Sequence, residues 1–581
     1  MSLAILPAIT PRDEPFERRQ FGAALWTVRS GWVERLLADE GPRLDEWRDD
    51  GSAQIVKHGA QRVVYRVERP EGSFYLKHYR CSSWVDRARN WLRPPAAHRE
   101  FNKALELARR GLPTFYPLAL GESRKWGAIA ETFLITAAIP DTLSLLDFTA
   151  QQLPHFSAEQ QPVIRAQLAD ALALLCVQLH RAGVFHNDLH AGNILVQRAS
   201  CEPDERGRIA PQFFLVDLPG ITFSSPLDWP RSRDSLLMLH SDWSQRATIA
   251  ERWRFWRRYS LERAELRLPN LKAAGLEVFA QTRDYSCRVL AGRVKRALRT
   301  NRDYHSYEAD EARGHAVTQL SRDDLRRLVH DPEQLFRDYW HEPVKLTPAS
   351  MMVTAELMLA GQPTAVAYKR IRPRNWLKRV GSFAGRSRAL NAWLLGHALL
   401  ERGIATARPI AVIVPRGLRQ LGAGYVATEW IADAQNLHLY LWRLARLPTG
   451  ERRRQTRRAA VALGRLIGRM HAWRVAHRDL KGCNLLLSER DETVEAHLID
   501  LDGVRIRRRL GYAEQVRNLA RLAVSIEAHD WIGNGDRRRF IAAYLAELAP
   551  QTVDPRRLWR DVSRAARRIL ERLRRQGKPI A

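Results

Sequence analysis

Cysteine is scarce in this chain of 581 residues. The five, at positions 81, 176, 201, 287 and 483, include no C-x-x-C pair and make an odd total. A disulfide framework and a zinc knuckle are thereby excluded as organising devices, and a reducing cytosol fits best. Acidic residues are also in deficit, 64 Asp and Glu against 94 Lys and Arg, for a formal net charge of +30. Such a field attracts polyanions, but net charge does not separate nucleic acid from anionic lipid headgroups or phosphorylated glycans. No apolar run of roughly 18 residues, the length that crosses a bilayer, occurs. The best candidate, residues 166–185, is interrupted by Asp170, His180 and Arg181 and reads as a buried amphipathic helix. Residues 1–15 lack a cationic lead and soon meet Asp13 and Glu14, so no secretory signal is expected and any membrane contact should be peripheral. With 45% apolar and 27% charged residues the chain is nevertheless globular, and long enough for more than one domain.

What the chain does contain is an internal repeat. The stretch around His186-Asn187-Asp188-Leu189-His190 returns as His477-Arg478-Asp479-Leu480-Lys481. In both copies a His (His180, His471) stands eight residues before the Asp and an Asn (Asn193, Asn484) five residues after it. Apolar residues at helical spacing, Leu463, Leu466, Ile467 and Met470, lead into the second loop. Downstream, short apolar strands end in Asp217-Leu-Pro-Gly220 and Asp500-Leu-Asp-Gly503, the glycine permitting a tight turn. Upstream, strand-like segments end in Lys77 and Lys369. Lys77 precedes Asp188 by 111 residues and Lys369 precedes Asp479 by 110, so two copies of one domain are expected.

The H-x-D-x-x-x-x-N loop, the D-x-x-G turn and the strand Lys, in that order, resemble the protein-kinase-like fold. The turns Gly111-Leu-Pro-Thr114-Phe-Tyr-Pro117 and Gly403-Ile-Ala-Thr406-Ala-Arg-Pro409 are similar to a signature of the bacterial lipopolysaccharide kinases of the Kdo/WaaP family. So are the closing helices around Arg517, Trp531 and Tyr544, with an echo near Arg233 and Arg252. The resemblance implies an α+β chain of two tandem bilobal modules, each an antiparallel-sheet N-lobe over a helical C-lobe, at 20–300 and 310–581. Residues 301–339 are expected to join them, as helix and not as a floppy linker, given their Asp/Arg mixture.

Phosphoryl transfer from ATP requires neutralised negative charge and two oxygens held in line. On the kinase template Asp188 and Asp479 accept the acceptor's proton. Asn193 with Asp217, and Asn484 with Asp500, hold Mg²⁺, while Lys77 and Lys369 bind ATP phosphates. Singly, such residues are ordinary surface charges and turn formers; their duplicated order and spacing argues otherwise. Glu100 lies where a helix should offer Lys77 its carboxylate, whereas Ala392 falls at the matching place for Lys369. Lys481 is placed to steady the ATP phosphate being transferred, where the first copy has His190. Neither copy contains G-x-G-x-x-G; the turns at Gly59 and Ser350 are candidate phosphate nests or plain hairpins.

Between each strand Lys and the next helix runs a cationic, Trp-containing insert. The first holds Arg80, Trp84, Arg87, Arg89, Trp91 and Arg93, and the second Arg370, Arg372, Arg374, Trp376, Lys378, Arg379, Arg386 and Arg388. A solvated face explains them, and so does an interfacial element at an anionic membrane. A final basic helix carries Leu558, Val562, Ala565, Ile569 and Leu573 on one face. The resemblance implies a cytoplasmic enzyme at the inner face of the inner membrane, phosphorylating a sugar hydroxyl of a lipopolysaccharide inner core or another anionic glycolipid. A Ser/Thr protein kinase, a small-molecule kinase and a pseudokinase scaffold are the alternatives. Nucleic acid is not an expected partner, since no RNA-binding signature or zinc spacing is present.

Overall fold

The computed structural model describes residues 15–59, 62–70, 72–81, 93–125, 127–243, 246–340, 343–347, 350–372, 387–416, 423–490, 493–548 and 553–577. By its contacts the chain divides into two units, Met1–Tyr285 and Ser286–Ala581.

The first unit opens with a sheet of seven strands among the described residues. They are β1 (Phe16–Phe21), β2 (Ala24–Arg29), β3 (Ala53–His58), β4 (Arg62–Val67), β5 (Phe74–Arg80), β6 (Pro117–Lys125) and β7 (Ala128–Ala137). Their spatial order is β1-β2-β6-β7-β5-β4-β3, antiparallel throughout. The period-two pattern of Phe74-Tyr-Leu-Lys-His decides which way the Lys points. Phe74 and Leu76 turn into a core with Trp26 and Trp47, which leaves Tyr75, Lys77 and Tyr79 on the other face. Helix α1 (Ala96–Arg109) lies against that face, where Ala97 and Phe101 pack on Leu120, Leu134 and Tyr79.

Helix α2 (Gln160–Arg181) is the spine of the helical half. By length and composition it could cross a membrane, yet half of its most apolar window is buried in the unit. Ile164, Leu168, Leu172 and Leu179 lie in the core with helices α3 (Trp229–Trp243) and α4 (Ile249–Glu262). The burial agrees with the sequence expectation for 166–185, but the helix ends at Arg181 and residues 184–186 form a strand. Short pairs complete the unit: β8 (Val184–His186) with β11 (Ile221–Phe223), and β9 (Ile194–Gln197) with β10 (Phe213–Leu215).

The second unit repeats the plan. Its sheet contains β12 (Tyr304–Glu308), β13 (Ala312–Val317), β14 (Pro343–Thr347), β15 (Ser350–Leu359), β16 (Gln362–Ile371), β17 (Pro409–Pro415) and β18 (Gly424–Glu429). The order β12-β13-β17-β18-β16-β15-β14 is that of the first sheet. Residues 301–339, expected as a joining segment, therefore supply two strands of this sheet and the helices Arg322–His330 and Gln334–Asp338. Their apolar residues Leu325, Leu328, Val329 and Phe336 close its core, which explains why the Asp/Arg-rich surface pattern is structured.

Helix α5 (Arg388–Leu400) takes the place of α1. The helical half contains α6 (Leu437–Ala445), α7 (Thr449–Ala472), α8 (Tyr512–Ser525), α9 (Asn534–Glu547) and α10 (Pro555–Arg575). Between α7 and α8 lie β19 (Val475–His477), β20 (Leu485–Arg490), β21 (Thr493–Leu498) and β22 (Val504–Ile506). Gly464 and Gly468 let α7 approach α9 closely: a Cβ on either would lie 2.5 Å from the carbonyl oxygen of Phe540 or Tyr544. The basic helix α10 docks by its apolar face, with Leu558 buried in the core and Ala566, Ile569 and Leu573 on Ala520 and Val524 of α8. An apolar cavity of about 270 Å³ lies among α6 to α10; no residue of the catalytic-type loop lines it.

Candidate active site

In the first unit, strand β5 and helix α1 bring two distant residues into one ion pair. Lys77 Nζ lies 2.6 Å from Glu100 Oε1, and the Glu100 side chain is 1% exposed. A buried carboxylate needs such compensation. Tyr79 Oη donates to the other Glu100 oxygen at 3.2 Å, and the Lys77 ammonium sits 4.9 Å from the Phe115 ring centroid. Burial, with Glu100 nearby, raises the Tyr79 phenol and keeps it a donor. Arg62, opposite Tyr79 in the β4–β5 register, lies over that ring at 5.8 Å. Burial alone would lower its guanidinium, but Tyr79, Glu100 and Asp217 raise it overall. Lys77, Glu100, Arg62 and Asp217 thus share one electrostatic neighbourhood.

The loop after β8 is built by side chains that serve as backbone partners. His186 Nδ1 accepts the Asp188 N–H at 3.1 Å, and Asn193 Nδ2 donates to the Asp188 carbonyl at 2.9 Å. The Val216 N–H in turn reaches the Asn193 carbonyl at 3.0 Å. Asp188 keeps its carboxylate outward, 71% exposed, with His190 Nε2 3.7 Å away. Asp217 adopts φ 59°, a left-handed conformation that costs a non-glycine residue energy and often marks functional turns.

The second unit reproduces the loop. His477 Nδ1 accepts the Asp479 N–H at 3.2 Å, leaving Nε2 to donate to the Asp500 carbonyl at 3.1 Å. Asn484 Nδ2 donates to the Asp479 carbonyl at 2.8 Å, and Asp500 stands at φ 58°. Lys481 Nζ lies 3.3 Å from Asp479 Oδ2, whose side chain is 61% exposed. Lys369 differs from Lys77: it sits 3.9 Å from Asp500 Oδ1, and Ala392 on α5 has no carboxylate to offer it. Arg388, at the start of α5, pairs with Asp502.

In each unit the Asn amide nitrogen is spent on the loop, so the Asn oxygen, which in the second unit also accepts from the Cys483 thiol, and the neighbouring carboxylate are the oxygens that face a ligand role. That all-oxygen set suits Mg²⁺, which is held by one or two protein oxygens together with substrate phosphates.

Several contributors were not assigned roles from sequence. Thr114 Oγ1 donates to the Leu215 carbonyl at 2.8 Å and Thr406 Oγ1 to the Leu498 carbonyl at 2.7 Å, so the G-x-x-T turns tie the N-lobe to the strand that delivers each metal-type Asp. Thr114→Val and Thr406→Val should each cost about 1–3 kcal/mol by stranding a buried carbonyl, measurable as a lower denaturation midpoint. Tyr79 was legible in principle, since it lies two residues after Lys77 and shares its face. Of the basic inserts, Trp84, Arg87, Arg89, Trp91, Arg374, Trp376, Lys378, Arg379 and Arg386 lie outside the described residues, as do 60–61 and 348–349 in the two candidate phosphate turns. Gly59 N–H donates to the Arg62 carbonyl at 2.9 Å, closing the first as a hairpin.

The repeated histidines His180 and His471 prove to be anchors. Each is fully buried and shares a 2.8 Å hydrogen bond with a closing-helix tyrosine, Tyr259 or Tyr544. Burial pushes His180 down to about 3, with Arg263 adding to the effect, and His471 down to about 4. Above pH 6.5 both are neutral whether folded or unfolded. As pH falls below 6.5 the unfolded chain takes up protons that the native chain refuses, so stability declines until the folded values are reached. Each should cost on the order of 2 kcal/mol by about pH 5. His471→Asn should flatten the acid limb of a stability–pH curve; an unchanged limb would refute the assignment.

Comparison with known proteins follows the same two-part division. The lipopolysaccharide kinase (Kdo/WaaP) family profile matches residues 46–222 and 374–544, together more than half of the chain. The lipopolysaccharide core heptose(I) kinase WaaP of Escherichia coli is 27% identical over 214 residues, which is 36% of this chain and 77% of that protein. A 3-deoxy-D-manno-octulosonic acid kinase of Haemophilus influenzae (strain 86-028NP) is 32% identical over 144 residues, 24% of this chain and 54% of that one. The chain thus spans only about half the length of that second relative. Among solved structures, WaaP in complex with acyl carrier protein aligns with a TM-score of 0.31 and 21% identity, covering 43% of this chain and 97% of that one. With the family profile met in both halves, this chain belongs to the lipopolysaccharide kinase (Kdo/WaaP) family, a family of phosphotransferases.

Proposed function

We propose that the chain is an ATP- and Mg²⁺-dependent kinase that phosphorylates a sugar hydroxyl of the lipopolysaccharide inner core or a related anionic glycolipid, working at the cytoplasmic face of the inner membrane. One observation carries the reading: the first unit pairs Lys77 with a buried Glu100, sets Arg62 within the field of Glu100 and Asp217, and holds the backbone of an outward-facing Asp188 by His186 and Asn193. Asp188 accepts the proton of the attacking hydroxyl. Lys77, fixed by Glu100, presents its ammonium to the ATP phosphates, and Asn193 with Asp217 would hold Mg²⁺, which supplies charge neutralisation when bound.

A second reading concerns the second unit alone. There Ala392 stands on α5 where the first unit has Glu100, and Lys369 lies 3.9 Å from Asp500, so this unit is the weaker phosphotransferase or a nucleotide-binding partner of the first. Mass spectrometry of deacylated inner-core saccharide after incubation with MgATP tests the main reading. A gain of one phosphate on a sugar is expected. Phosphate appearing on casein in preference to the saccharide would favour a protein kinase, and the absence of both products would refute the glycolipid reading.

A further inference from the structure

Helix α6 and the start of α7 form a hairpin in the second unit whose chemistry the catalytic reading does not use. Between Arg443 and Arg458 the sequence holds seven arginines and one acid, Glu451. The first unit provides an internal control. Ser144 and Asn436 cap the corresponding helices in the same way, each accepting the N–H three residues on. Counted from those caps, the matching stretch of the first unit, residues 151–166, holds one arginine, Arg165. The shared fold therefore does not require the charge.

The outer face of α6 is also apolar. Leu439 is 58% and Trp442 55% exposed, one turn apart on the same side. Trp442 is braced by its edge against His529, ring centroids 5.0 Å apart, so the indole is held outward. Arg446, Arg453 and Arg457 are exposed nearby, while Arg443 and Arg454 are paired with Glu489 and Glu451. The hairpin also adjoins the catalytic-type loop, because a Cβ on Gly482 would lie 2.7 Å from His438 of α6.

We propose that the α6–α7 hairpin is a membrane-contact surface, seating Leu439 and Trp442 in the interfacial zone of an anionic phospholipid bilayer while its arginines meet the headgroups. An exposed Leu and Trp within a dense cationic cluster suit a bilayer interface, where apolar burial and charge attraction act together. Nucleic acid would use the arginines but leave Leu439 without a purpose. The surface deepens the glycolipid-kinase reading by placing the Asp479 loop beside the lipid.

The test uses the full chain, without ATP or acceptor, so that its outcome is independent of catalysis. Sedimentation with phosphatidylcholine vesicles, with and without phosphatidylglycerol, should show binding only to the anionic set. The triple variant Arg446→Gln, Arg453→Gln, Arg457→Gln should weaken it on the order of a hundredfold, at about fivefold per arginine. Leu439→Ser with Trp442→Ser should weaken it and leave the remainder more easily released by salt, and Arg165→Gln should change nothing. Unchanged thermal midpoints establish that the variants are folded; a variant that unfolds is replaced by Arg→Lys at the same sites, which should retain binding. Vesicle binding unaffected in both variants, or binding to a single-stranded RNA that is lost in the triple variant while vesicles still bind, would overturn the proposal.

Discussion

A chain carrying both Asp188→Ala and Asp479→Ala should lose ATP-dependent phosphate transfer by roughly 10²–10⁴-fold, the range a positioned general base supplies. Both carboxylates are more than half exposed, so the double variant should keep its thermal midpoint, which separates lost chemistry from lost fold. The single variants report how the work is divided. Asp188→Ala should remove most of the turnover, because the first unit alone combines the strand Lys with a helix carboxylate. Asp479→Ala should remove the smaller part, since Ala392 on α5 stands where the first unit has Glu100, and Lys369 lies 3.9 Å from Asp500. Equal losses would mean that the carboxylate on α1 is not what distinguishes the units.

The second large effect falls on stability. Lys77→Met removes the paired cation from a Glu100 that is 1% exposed, leaving it the Tyr79 hydrogen bond and the more distant Arg62, and breaking such a buried pair costs about 3–5 kcal/mol. Lys369→Met should cost far less, because Asp500 is 37% exposed and water can solvate it. The pair of substitutions Lys77→Met with Glu100→Leu should recover most of the stability without recovering activity, as a buried ion pair and a well-packed apolar pair are often equivalent in folding energy. Urea denaturation of the four proteins measures these differences. If the double substitution is as unstable as Lys77→Met alone, Glu100 is held by Tyr79 and its surroundings rather than by Lys77.

Much of this arrangement was legible in the residue pattern. The two loops and the strand lysines were found because their spacing repeats, Glu100 because the kinase template asks for a helix carboxylate, and period-two and helical patterns fix which face each occupies. The kinase-like topology followed from that order. What the pattern did not carry was anything set by contacts between distant strands. Residues 301–339 read as a helical connector, which fits the helices Arg322–His330 and Gln334–Asp338 but not the two strands before them, because the charges are conspicuous and the apolar residues that close the second core are sparse. Arg62 carries no motif of its own, and only its register opposite Tyr79 brings it into the field of Glu100. The buried histidines His180 and His471 were counted with the catalytic template, although their role is to bond the closing-helix tyrosines. Spacing cannot tell an anchor from a reactive group when both recur together.

The most direct test is transfer of label from γ-labelled ATP to purified lipopolysaccharide core glycolipid, with and without Mg²⁺, by the natural chain and by the Asp188→Ala, Asp479→Ala chain. The account predicts label on a core sugar from the natural chain with Mg²⁺, roughly 10²–10⁴-fold less from the double variant, and none in the presence of a chelator. Undiminished labelling by the double variant, or no labelling of glycolipid by the natural chain, would contradict it.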